Sequence, residues 1–253
     1  MLPITDPWFY ACALPAVLIM GISKGGFGTG FGIVATPLMA LAVSPTQAAA
    51  IMLPILCVMD LVGIRAYWRR WDARVMRIIL PGGFLGVGLG ALTFGVLSER
   101  AILLMLAALS FGFLLFRAFS AALNRLEARP PRTLPGLFWS LCSGLTSFVA
   151  HAGGPPLVVW LLPLRLDKFR YVATNTLYFA AINYLKLLPY ALLGQFPAET
   201  LATSAVLLPL APLGVWLGMK LVGRLSDRLF YGLCYGLLAV TACQLAWKGF
   251  MMG

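Results

Sequence analysis

Ten apolar segments fill this chain, at 8–22, 27–44, 47–67, 76–97, 101–120, 135–150, 154–164, 171–193, 201–222 and 229–248. Six reach the roughly 20 residues that a helix needs to cross a bilayer. No soluble fold of 253 residues can bury so much apolar surface, since 61% of its residues are hydrophobic and only 11% are charged. Alternating ten-residue strands are absent, so the pattern favours packed membrane helices over a barrel. The expected fold is all-α and polytopic. No cofactor, catalytic nucleophile or metal motif is present, so an enzyme is not expected. The five cysteines are isolated within apolar stretches and read as packing residues.

The other four segments form two interrupted pairs. GISKGGFGTGFG at 21–32 separates the first pair, and HAGGPP at 151–156 separates the second. Glycine permits unusual dihedrals, and proline removes a donor, so both stretches predict breaks in the helical path. The halves also resemble each other. Residues 81–100 and 209–228 share ten of twenty positions, including Gly86/Gly214, Gly90/Gly218 and Arg100/Arg228. Those glycines stand at small-xxx-small spacing, which permits close helix contact. The expected organisation is an N-terminal repeat over 1–120, a cytoplasmic linker over 121–134 and a C-terminal repeat over 135–253, each repeat holding a broken or re-entrant hairpin.

The net charge of +11 orients the chain and does not point to nucleic acid. If each broken pair is a hairpin, the loops at 65–77, 117–132, 165–170 and 220–228 share one side and carry fifteen basic and four acidic residues. The other side holds Asp6, Glu99, Arg100, Glu199 and Lys248. The positive-inside rule then places both termini outside a bacterial-type inner or plasma membrane. An odd number of crossings per repeat makes the repeats inverted. Aromatics near 67–71 and 184–190 are expected to anchor segment ends at the interfaces.

The stretches GISKGGFGTGFGIVATPLMAL (21–41), SPTQAAAIMLPILCVMDLVG (44–63), LTSFVAHAGGPPLVVWLLPLRLDK (145–168), NYLKLLPYALLGQF (183–196) and LLPLAPLGVWLG (207–218) resemble the sulfite exporter TauE/SafE family, also described as organosulfur-compound permeases. The resemblance runs through nearly the whole chain. It implies two related halves, each opening on a Gly-rich broken segment, and a small sulfur-containing cargo such as sulfite, thiosulfate or a sulfonate. Lys24 stands where many relatives carry a small residue, and His151-Ala152 precedes Gly153-Gly154.

The residues themselves lead to a compatible expectation. A broken membrane helix exposes backbone N–H groups, which attract an anion. The expected substrate-binding set is Lys24, Gly25, Gly26, Gly28, His151, Gly153, Gly154, Asn175 and Asn183, with Asp60 and Lys186 as coupling or polar support. Lys24 either attracts the anion or pairs with Asp60. Asp60 neutralises Lys24, carries a proton or caps a packing contact. His151, the sole histidine, either binds anion, takes a proton or holds the break by hydrogen bonding. Asn183 falls opposite Asp60 at an offset of 123 residues. Lys186 either approaches the cavity or snorkels to the boundary. The function expected is secondary transport of a small anion by alternating access, with a passive anion channel as the alternative. The partners are the substrate, the lipid bilayer and a possible coupling proton; no nucleic acid is expected, and the oligomeric state is left open.

Overall fold

Proline at the first helical position and a preceding side-chain acceptor start the first two long helices. Asp6 accepts from the Trp8 amide (2.9 Å) at the head of α1, Pro7–Ile22. Ser44 accepts from the Gln47 amide (3.2 Å) at the head of α3, Pro45–Ala66. In the computed structural model, which describes residues 2–27, 32–93, 130–161 and 168–221 with parts of 98–115, 164–166 and 239–251, every regular element is helical.

Between α1 and α3 the chain runs through a π turn, Ser23–Phe27, a 3-10 turn, Gly32–Val34, and a short α2, Ala35–Met39. After α3 come α4, Ala73–Thr93, and α5, Thr133–Ala150. Then follow α6, Gly154–Leu161, α7, Lys168–Leu192, α8, Ala198–Leu207, and α9, Leu210–Leu221. Five described helices are long and apolar enough to cross a membrane: Pro7–Gly26, Pro45–Ala66, Ala73–Thr93, Thr133–Ala150 and Ala198–Lys220. The protein is therefore a multi-pass helical membrane protein. The apolar run 201–222 is not one straight helix, because α8 and α9 meet at Pro209, which cannot donate to the turn before it. At about 1.5 Å per residue, α2 and α6 rise far less than the roughly 30 Å hydrocarbon core. Neither crosses alone.

From Ala48 to Asp60, α3 is buried on nearly every side, and only towards its end, at Leu61, Arg65 and Ala66, is it exposed. Ile51, Ile55 and Met59 face a cluster with Phe9, Val17, Met39 and Val215, while Leu53 and Cys57 face Ile79, Phe148, Tyr178 and Ile182. Two helix crossings bring backbone onto backbone. On α4, a Cβ at Gly86 would lie 2.1 Å from the Leu141 oxygen of α5, and one at Gly144 would lie 2.2 Å from the Gly83 oxygen. On α9, Gly214 lies against Gly21 of α1, and a Cβ at Gly218 would lie 2.4 Å from the Ile22 oxygen. The small-residue spacing read from the sequence thus marks the helix contacts. Most of the linker 121–134 lies outside the described residues; its end, from Thr133, is already α5.

Candidate functional site

The first break begins where α1 loosens into its π turn. Gly25 has no room for a side chain, since an added Cβ would sit 2.1 Å from the Val215 oxygen of α9. Its carbonyl, left without a helical partner, accepts from the Tyr67 hydroxyl at 2.8 Å. Ser23 Oγ accepts from the Gly32 amide at 3.1 Å and ties the two ends of the loop together. Lys24 reaches from this turn to α3, where its ammonium pairs with Asp60 Oδ1. The Asp60 side chain is fully buried, whereas the Lys24 side chain keeps 11% of its surface exposed. Asp60 Oδ2 accepts from Asn183 Nδ2 of α7 at 2.7 Å. Both oxygens of a costly buried carboxylate are thereby satisfied.

The second break opens at His151, which ends α5 in the left-handed region at φ 52°. Few non-glycine residues hold that conformation, and it turns the chain sharply. The His151 amide donates to the Ser147 oxygen (3.0 Å), and Ser143 Oγ donates to the Gly153 oxygen (2.6 Å). His151 Nε2 meets the Ala49 oxygen of α3 at 2.8 Å. A carbonyl only accepts, so Nε2 carries the hydrogen and Nδ1 presents a lone pair. Lys186 of α7 lies 2.9 Å from that Nδ1, 3.0 Å from the Ser147 oxygen and 3.1 Å from Ser147 Oγ. One turn on, the Tyr190 hydroxyl donates to the Phe148 oxygen at 2.5 Å. A Cβ at Gly153 would lie 2.6 Å from the Ser143 oxygen, so only glycine fits; α6 starts at Gly154.

Of the residues expected from sequence, Lys24, Asp60 and Asn183 form one connected group, and Lys186 and His151 form a second. Asn183 and Lys186, one turn apart on α7, place both groups on one helix face. Lys186 does not snorkel; it is fully buried. Gly25 and Gly26 are buried in the π turn, and Gly28 lies outside the described residues. Asn175 is buried and bonds the Tyr171 oxygen one turn back at 3.3 Å. Sequence reading missed Tyr67 and Tyr190 as partners of the breaks. Tyr190 is fully buried, so it is no interfacial anchor. The signal was available: Tyr67 and Tyr190 stand 123 residues apart, as do Asp60 and Asn183, and so do the carbonyls of Gly25 and Phe148 that the tyrosines bond.

Two glycine-rich breaks inside apolar helices, each held by a lysine and a tyrosine, are the features that a family comparison must account for. The family model described as sulfite exporter TauE/SafE matches residues 13–245. The chain belongs to the TauE/SafE family. Neither a curated protein nor a solved structure matches it. Membership and the helical fold make it a membrane transporter for a small solute, and the family is one of transporters, not of enzymes. Among the described residues no group of three or more His, Cys, Asp or Glu is placed to hold a metal ion.

Proposed function

We propose that this TauE/SafE protein is a secondary transporter for a small anion, most simply sulfite or an organosulfonate, working by alternating access. The observation that carries the reading is Lys24, whose side chain in the first break keeps part of its surface exposed while its counter-ion Asp60 is fully buried. An ammonium has three donors, and Asp60 Oδ1 takes one. An oxyanion entering from the exposed edge gains the remaining donors of that amine. Across the protein, Gly153 and Gly154 offer the second break in the same role.

The arrangement of the halves supports a two-fold mechanism. The first helix of each half packs on the Gly-rich helix of the other, α1 on α9 and α5 on α4. The paired positions Asp60/Asn183 touch each other. Halves of inverted topology built this way can rock about a central site and open it alternately to each face. The basic loops are proposed to face the cytoplasm, with both termini outside.

The test is anion binding by purified protein, using sulfite and methanesulfonate as probes. Lys24→Ala is expected to weaken binding by about tenfold or more, the loss of one charge-assisted contact of about 1.5–3 kcal/mol. Asp60→Asn, which frees the amine from its counter-ion, should tighten it. Unchanged affinity in a folded Lys24→Ala protein would remove the proposed role of that charge.

A further inference from the structure

Lys186 is the buried cation that anion binding at Lys24 leaves unused. Its side chain is fully buried, and its three hydrogen-bond partners include no carboxylate. Asp60 and Cys57 of α3 and Lys24 of the π turn lie near enough to act on it electrostatically. His151 faces it from the second break, and Tyr190 stacks on His151 from one turn further along α7. The charged groups of α4, which also packs on α7, are Arg74 and Arg77, both exposed near the helix start.

Its hydrogen-bond inventory is unusual because it closes in two protonation states. As an ammonium, Lys186 donates to the Ser147 oxygen, to Ser147 Oγ and to His151 Nδ1. As a neutral amine it donates to the Ser147 oxygen and to Nδ1, and its lone pair accepts the Ser147 hydroxyl. Each nitrogen and oxygen of the group keeps a partner in either state, and only the Ser147 hydroxyl hydrogen has to turn away from the amine when the proton arrives, so the change of charge strands no buried heavy atom. Asp60 differs. Both of its oxygens face donors, the Lys24 ammonium and the Asn183 amide. A proton on Asp60 would cancel the charge that holds Lys24 and would find no acceptor in either of these partners, since both are donors.

From this geometry we propose that Lys186, cradled by Ser147 and His151, is the group that binds and releases the proton coupled to transport. The proposal rests on the transporter reading above and names its coupling site. One proton adds to the Lys186 amine as one anion joins Lys24, so a monoanion and a proton move together without net charge. A charged Lys186 favours the anion at Lys24, and by linkage the anion favours the proton on Lys186 to the same degree.

The experiment uses full-length protein in liposomes with methanesulfonate, whose charge does not change near neutrality. Wild type should accumulate it along an imposed proton gradient at clamped membrane potential. Lys186→Gln places an amide with the same two donors and one acceptor against the same partners, but no titrating proton. That variant should retain counterflow exchange and lose at least about fivefold of the gradient-driven accumulation. Full gradient-driven accumulation by Lys186→Gln would overturn the assignment. Absence of counterflow in wild type would instead refute the transporter reading. Proton binding at Lys186 is decided separately by nitrogen NMR of the chain's single histidine. The expected spectrum is a neutral imidazole protonated at Nε2, whose Nδ1 signal follows a titration that Lys186→Gln abolishes. An Nδ1-protonated ring, or a wild-type signal with no such titration, would overturn the proposal even if the variant fails to fold.

Discussion

Replacing Lys24 by methionine should destabilise the protein more than replacing Asp60 by asparagine, although both break the same ion pair. The asymmetry follows from burial. Asp60 is fully buried, so Lys24→Met leaves a carboxylate held by Asn183 alone with no water in reach. Breaking a buried pair in this way costs about 3–5 kcal/mol. Asp60→Asn leaves the ammonium with its exposed edge and an amide oxygen still able to accept, a loss of about 1–3 kcal/mol. In the double variant neither charge remains, so most of the Lys24→Met cost should return, and the cycle should show coupling well above the few tenths expected of independent sites. Denaturant titration of purified protein in detergent, followed by tryptophan fluorescence, measures all three. Equal costs for the single variants, or strict additivity in the double, would refute the claim that Asp60 is the buried member of the pair.

Two further predictions concern the scaffold around the breaks. Gly25→Ala forces a Cβ to within 2.1 Å of the Val215 oxygen, which is backbone and cannot turn aside. It should cost about 1–3 kcal/mol, while Gly88→Ala, with nothing within 4 Å of its Cβ, should be neutral or slightly stabilising in the same titration. Tyr190→Phe removes a fully buried bond to the second break and should cost about 1–3 kcal/mol. Tyr67→Phe removes its part-exposed counterpart, where water can replace the hydroxyl, and should cost under about 1 kcal/mol.

Much of this was legible in the sequence wherever composition alone set the structure. GISKGGFGTGFG and HAGGPP interrupt long apolar runs, and the path of the chain breaks at both. The glycines at 86, 90, 214 and 218 stand at the spacing that close crossings need, and they lie in those crossings. The offset of 123 residues put Asn183 opposite Asp60, and the two side chains meet. The fate of Lys186 was harder to read, because a lysine on an apolar helix buries or snorkels according to what faces it. The deciding partners are a backbone oxygen and an imidazole on another helix. The Ala49 carbonyl that fixes the His151 tautomer leaves no trace in residue identity at all. Tyr67 and Tyr190 resembled interfacial aromatics because each sits near the end of a long apolar segment; in the sequence only the 123-residue offset that they share with Asp60 and Asn183 sets them apart.

The central claim is that Lys24 and the first break serve a carrier and not a pore, and counterflow tests it most directly. Proteoliposomes loaded with unlabelled methanesulfonate or sulfite are diluted into trace labelled anion, and the label inside is followed with time. A carrier should concentrate the label transiently above the external level, and Lys24→Ala should reduce that overshoot about tenfold. Label that only equilibrates, accompanied by anion conductance across a planar bilayer, would contradict alternating access and make the protein a channel.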